Sequence, residues 1–185
     1  MIEGFATPEG TTDFARKSLA HNENFRKIQD LILSNVGIGT YLGNPDLETD
    51  IQQKNAIKQS ILHGVNVIDT AINYRAQKSE RTVGKAVSEL IEEGKIDRSE
   101  IFVSTKNGYV TNDADIQEDF MAYIMREFGK TGIVKEGDIS AQYNCVTIPF
   151  LEDQLARSQK NLGLDCIDLM YLHNAVEGQP QMSRD

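Results

Sequence analysis

Apolar positions along the chain fall into two periods, and the two alternate. Ile57 and Ile61, four apart with Ala56 beside them, mark one face of an amphipathic helix over 50–63, and Gly64 follows where a helix C-terminal glycine belongs. A second helix is predicted over 79–92, with Val83, Val87, Leu90 and Ile91 on one face and Gly94 beyond its end. A third opens near Thr147 and Pro149 and places Leu151 and Leu155 on one face before Leu162. Between them lie short apolar runs that read as buried strands: Val36-Gly37-Ile38-Gly39-Thr40, Val65-Asn66-Val67-Ile68, Ile101-Phe102-Val103-Ser104 and Cys166-Ile167-Asp168-Leu169-Met170-Tyr171-Leu172. Residues 1–24 are polar and irregular and predict a loosely packed extension; residues 110–144 form a long insertion with one helix around 116–128.

Strands separated by crossovers far longer than a hairpin argue for parallel pairing and an α/β layer structure. Periodicity alone leaves open a doubly wound sheet or part of a barrel. The polar residues that end these strands are more informative. Asp69-Thr70-Ala71 follows the second strand, with Tyr74 five positions after Asp69; Ser104-Thr105-Lys106 ends the third, and His173 ends the fourth. In a parallel barrel all these ends face one rim, where barrel enzymes place their active sites.

An Asp, a Tyr, a Lys and a His meeting there suit carbonyl reduction, which needs a hydride at carbon and a proton at the oxygen where negative charge develops. A tyrosine hydroxyl is a poor proton donor at neutral pH, its free pKa being about 10. A neighbouring ammonium, here Lys106, favours the phenolate and makes such a donor a stronger acid. Asp69 can balance and orient that lysine, and His173 can hydrogen-bond the carbonyl oxygen. Singly, each residue has a plain structural role: a cap, a packing tyrosine, a solvated lysine, a core histidine. Their coincidence at matching strand ends is harder to assign to packing.

The same residues resemble the aldo-keto reductase family. Asp69-Thr70-Ala71-Ile72-Asn73-Tyr74 is similar to its D-T-A-x-x-Y signature, and Ser79-Glu80-Arg81-Thr82-Val83-Gly84-Lys85-Ala86 to the S-E-x-x-(V/L)-G-x-A that opens its second helix. Ser104-Thr105-Lys106 matches the end of its third strand, Leu155 through Asp168-Leu169-Met170-Tyr171-Leu172-His173 its fourth unit, and Gly37-Ile38-Gly39-Thr40-Tyr41 the end of its first strand. Arg75 stands where many members carry glycine.

The resemblance implies a parallel (β/α) barrel of TIM type, of which 25–185 would be the N-terminal half: four βα units and the inserted helix-containing loop. It implies NAD(P)H-dependent reduction of aldehydes or ketones, with Tyr74 as proton donor, Lys106 and Asp69 tuning it, and His173 orienting the carbonyl. Gly39, Thr40, Tyr41 and Asp69 would line the nicotinamide-ribose side of a cleft for NADPH or NADH, without a metal. A full barrel takes about 250 residues, so half is missing here, including the part that grips the rest of the nucleotide. Two open sheet edges invite association, and the chain is expected to fold only in part, to self-associate, or to pair with a C-terminal half. The alternative is an inactive family-like subunit acting through protein association.

Composition narrows the partners. With 28 acidic against 19 basic side chains the formal net charge is −9, which repels phosphate backbones and argues against nucleic acid. No apolar run approaches the length of a membrane span. Met1-Ile2-Glu3-Gly4-Phe5 lacks the basic and apolar regions of a signal peptide, so a reducing cytoplasm is the expected compartment. Cys145 and Cys166 form no metal-ligand pattern, and Cys166 is expected to be a buried thiol. Gly129-Lys130-Thr131 is no P-loop, because Ile124 stands where the first glycine is required, and Gly37, Gly39 and Gly43 lack dinucleotide-fold spacing and read as close-approach glycines.

Overall fold

In a computed structural model, residues 1–175 are described; the last residues of the half barrel expected over 25–185 lie outside them. Four strands, β3 (Ile38–Gly39), β4 (Val67–Asp69), β5 (Phe102–Asn107) and β6 (Leu169–Leu172), pair in parallel in the order 3-4-5-6. Each crossover carries a helix: α2 (Leu47–Leu62), α3 (Lys78–Glu92) and, after the insertion, α5 (Ile148–Leu162). This is the βα succession of half a barrel, with β3 and β6 as open edges. On β6, Leu169, Tyr171 and Leu172 stay exposed. Among the described residues no helix is long and apolar enough to cross a membrane.

The main core lies between sheet and helices. Ile57 and Ile61 of α2 and Val83, Val87 and Leu90 of α3 close on Ile68, Ile101 and Val103, as their spacing predicts, while Ile91 is partly buried against the same cluster. Gly64 has φ +99°, a left-handed backbone that terminates α2 at little cost. Gly84 sets the approach of α3 to α5: a Cβ there would meet the Leu162 carbonyl oxygen at 2.5 Å.

The structure departs from the predicted pattern at several points. Helix α1 (Pro8–Lys17) and an antiparallel hairpin, β1 (Phe25–Ile28) with β2 (Leu31–Ser34), occupy a region where neither was expected. Thr7 caps α1 by accepting from the Gly10 N–H, Pro8 presets its first turn, and Phe14 enters the core. Nor is this segment loosely packed. Ala6 N–H donates to Asp168 Oδ1 at 2.6 Å, and Ile2 bridges in parallel to Leu164. Asp168 Oδ2 also takes Arg98 at 2.7 Å and the Val103 N–H at 2.7 Å, a buried ion pair under the strands' N-terminal ends. On α5 the buried face is Phe150, Gln154, Ser158 and Leu162, turned toward α3, β5 and the insertion, whereas Leu155 is exposed. Cys166 is half-buried, and the fully buried thiol is Cys145.

The insertion has a small core of its own. A short helix, α4 (Phe120–Ile124), runs into a wider turn at Met125–Gly129, and Tyr123, Phe128 and Val134 pack with Val110, Cys145 and Phe150. Arg81 of α3 grips Asp113 at 2.6 Å, and Arg157 of α5 grips Glu127 at 2.8 Å. The insertion is thereby fastened to two of the barrel helices.

Glu80 pins α3 to its neighbours from inside. Fully buried, it accepts from Thr105 Oγ1 at 2.7 Å and Asn161 Nδ2 at 2.9 Å, and burial raises its pKa although these donors oppose the shift. A carboxyl whose folded pKa is raised contributes stability below its ordinary value, and that contribution is lost as pH rises through the folded value. Glu80→Gln should therefore gain stability relative to wild type as pH rises from 5 to about 8. Urea midpoints of both proteins across that range test this, and a constant difference would count against it.

Candidate active site

Parallel register lines up the strand ends. Gly39 pairs with Asp69 and Asp69 with Ser104, so the three form a row across β3, β4 and β5. Ser104 and Lys106 are two residues apart on one strand and so share a face, the one Asp69 also presents. The contacts follow: Lys106 Nζ lies 2.6 Å from Asp69 Oδ2, and Ser104 Oγ lies 3.0 Å from Asp69 Oδ1. Lys106 also donates to the Thr70 carbonyl at 2.8 Å. Its ammonium stands 4.8 Å from the centroid of the Tyr74 ring, a cation–π contact.

From Tyr74 an aromatic chain runs in two directions. Tyr41 meets it edge-on with centroids 5.0 Å apart, and the His173 ring meets it at 5.6 Å. Asp69, Lys106, Tyr74 and His173 thus form one unbroken set of contacts, with Tyr41 at its margin. Gly39 and Thr40 lie on the β3 side. Thr40 is buried, with its hydroxyl 2.8 Å from that of Thr70, whereas Gly39 is exposed and a Cβ there would have nothing within 4 Å. Close approach is therefore not what requires Gly39. Close approach is felt instead at Gly37, where a Cβ would press on Val67 at 3.1 Å.

His173 is held by residues that sequence reasoning did not single out. Its Nδ1 lies 3.1 Å from Asn73 Oδ1, its carbonyl accepts from Asn144 Nδ2 at 3.0 Å, and Tyr109 stacks edge-on at 4.9 Å. The Asn73 amide selects the tautomer: with its oxygen toward Nδ1 that nitrogen donates, and with the amide reversed it accepts. Asn73 lay inside the D-T-A-x-x-Y match, at a variable position. Tyr109 and Asn144 form a bridge where the insertion leaves and rejoins the barrel, which no local spacing marks.

Exposure divides the set. Lys106 is largely buried and the Asp69 side chain is 41% exposed, so the pair is open to solvent on the carboxylate side. Asp69→Asn keeps the shape and removes the charge partner. A partly exposed pair of this kind is worth at most about 1 kcal/mol. The variant is expected to stay folded, with an unfolding free energy from urea titration lowered by no more than that; a loss several times larger would show that Lys106 depends on Asp69 to be accommodated at all.

Comparisons with known proteins point to one family. The NADH-specific methylglyoxal reductase of Escherichia coli (strain K12) is 28% identical over 78% of this chain and 39% of its own length. A silkworm (Bombyx mori) aldo-keto reductase structure aligns with a TM-score of 0.51 at 25% identity, over 80% of this chain and 36% of that one, and the same enzyme has also been solved complexed with NADPH. An aldo-keto reductase from Bacillus halodurans, in its holo form, aligns with a TM-score of 0.56 at 20% identity, over 84% of this chain and 43% of that one. The chain spans about two-fifths of the length of the curated relatives it matches. Residues 35–182 match the family's own sequence pattern, a stretch that contains all four converging side chains, and the chain belongs to the Aldo/keto reductase family.

Proposed function

We propose that this chain supplies the proton-donating half of an NAD(P)H-dependent carbonyl reductase, in which Tyr74 protonates the oxygen of an aldehyde or ketone. The observation that supports it is the continuous contact from Asp69 through Lys106 to Tyr74 and on to His173. Lys106 places a positive charge on the tyrosine ring, so negative charge left on the phenolate after proton transfer meets a cation already in position. Asp69 and the Thr70 carbonyl fix that lysine, which keeps the cation from swinging to solvent. His173 meets the Tyr74 ring edge-on, 5.6 Å between centroids, so a carbonyl oxygen between the two could be held by both.

The residues at this end fit a nicotinamide: Gly39 presents open backbone, and Asp69, in the same row, is partly exposed. Gly39, Thr40, Tyr41 and Asp69 would hold its ribose side. The cofactor supplies the hydride that arrives at the carbonyl carbon. NADH and NADPH both fit the residues at this end, which would meet the nicotinamide-ribose side that the two share. The substrate is a small carbonyl compound, and the insertion, fastened beside the rim, shapes its pocket.

A second reading is an inactive subunit that works by association. The exposed apolar side chains of β6 favour it, since an open strand edge seeks a partner. Nucleotide binding separates the two: saturable quenching of NADPH fluorescence supports the enzyme, and none supports the subunit. Within the enzymatic reading, Tyr74→Phe is expected to lower carbonyl-dependent NADPH oxidation by about a hundredfold or more, as losing a general acid does, with nucleotide affinity little changed. A variant that retains the wild-type rate would sink the assignment of Tyr74.

A further inference from the structure

Immediately after Tyr74 the backbone takes an expensive path. Arg75, Ala76 and Gln77 have φ of +52°, +49° and +75°, three successive left-handed residues without a glycine. Each costs on the order of 1 kcal/mol or more, and such strain persists only where the surroundings over-determine it. The Arg75 side chain, 1% exposed, is what over-determines it. Its Nε donates to the Asn44 carbonyl at 2.8 Å, Nη2 to the Asp46 carbonyl at 3.3 Å, and Nη1 to Gln53 Oε1 at 2.8 Å; Nη2 also pairs with the Asp50 carboxylate.

Gln53 extends the same grip. With its oxygen taken by Arg75, its Nε2 is turned toward the β3–α2 loop, donating to the Leu42 carbonyl at 2.7 Å and the Thr40 carbonyl at 3.1 Å. The carbonyls of residues 40, 42, 44 and 46 are therefore all captured by these two side chains. The loop they hold carries Tyr41, which stands edge-on to Tyr74.

We propose that Arg75 is a positioning residue whose guanidinium fork, relayed by Gln53, sets Tyr41 against Tyr74 and so fixes one wall of the reaction centre. The role in catalysis rests on the reading of Tyr74 as proton donor; the clamp itself does not. It requires a fork. A lysine at 75 could keep the pairing with Asp50 but could not span Gln53 and two backbone carbonyls from one ammonium. Charge alone and clamp geometry thus make opposite predictions for Arg75→Lys.

The test uses the full chain with ring-labelled tyrosine. In wild type a nuclear Overhauser contact joins the Tyr41 and Tyr74 rings. Arg75→Lys and Gln53→Leu are each expected to abolish it, with circular dichroism unchanged. Should Arg75→Lys not fold, Gln53→Leu decides alone, since it leaves the buried ion pair intact. In turnover, kcat should fall about tenfold to a hundredfold, as for a displaced reacting group, with KM for the carbonyl within about threefold. In a Tyr41→Ala background Arg75→Lys should cost nothing further, because both changes remove the same wall.

Retention of the ring contact in both variants, or losses that multiply in the double variant, would overturn the proposal. A wild-type chain that reduces no carbonyl would instead overturn the enzymatic reading, while the ring contact still decides the clamp.

Discussion

Asp69 faces Ser104 across the parallel ladder of β4 and β5, and the rest of the site depends on that register. A slip of one residue would turn Asp69 away from the face that Ser104 and Lys106 share, because strand side chains alternate. Lys106 would then lose its carboxylate, and no cation would stand over Tyr74. The register is enforced from below as well as within. Asn66, fully buried just before β4, accepts from the Ser34 N–H at 2.8 Å and reaches the Glu100 carbonyl at the entry to β5. Asp168 binds the Val103 N–H on the far side of β5. Polar groups that are costly to bury unless satisfied thus have one arrangement that satisfies them, and it is the one that aligns the rim.

The site draws on two kinds of support. Core packing of α2 and α3 on the strands places the backbone to within the reach of a side chain. Final placement comes from polar contacts that cross between units: Ser79 Oγ to the Thr40 carbonyl at 2.8 Å, Asn144 to His173, and the chain of charges Asp115, Lys78, Asp50 and Arg75. Burial alone would raise the Asp50 carboxyl, yet hydrogen bonds from Lys78 and Arg75 outweigh it and hold the group below the ordinary carboxylate range. Asp50 therefore stays charged where two cations need it.

What could be read from sequence follows from distance along the chain. Helices α2 and α3 were legible because Ile57/Ile61 and Val83/Val87/Leu90 repeat at helical spacing. Asp69, Tyr74, Lys106 and His173 were legible because each closely follows, or ends, an apolar strand. Helix α1 was not, since a polar helix with Phe14 as its one large buried apolar side chain has too narrow a stripe to announce itself. The face of α5 was misread because Gln154 and Ser158 are buried and Leu155 is not, a choice made by which neighbours the helix has. The supports of His173 come from residues 29 to 100 positions away, and such pairings leave no local trace.

The left-handed turn at Arg75 bears on how such a site can change over generations. Glycine, the residue that the family resemblance leads one to expect here, would relax this backbone but has no side chain to hold a neighbouring loop. Moving from one solution to the other is not a single step. Glycine introduced here would leave Gln53 Oε1, two loop carbonyls and Asp50 without their shared donor, and an arginine introduced over another loop would be a buried charge with nothing to meet. Residue 75, Gln53 and the length of the 40–46 loop are therefore expected to change together. Variation in that wall of the cleft should arrive by exchange of all three more readily than by point substitution.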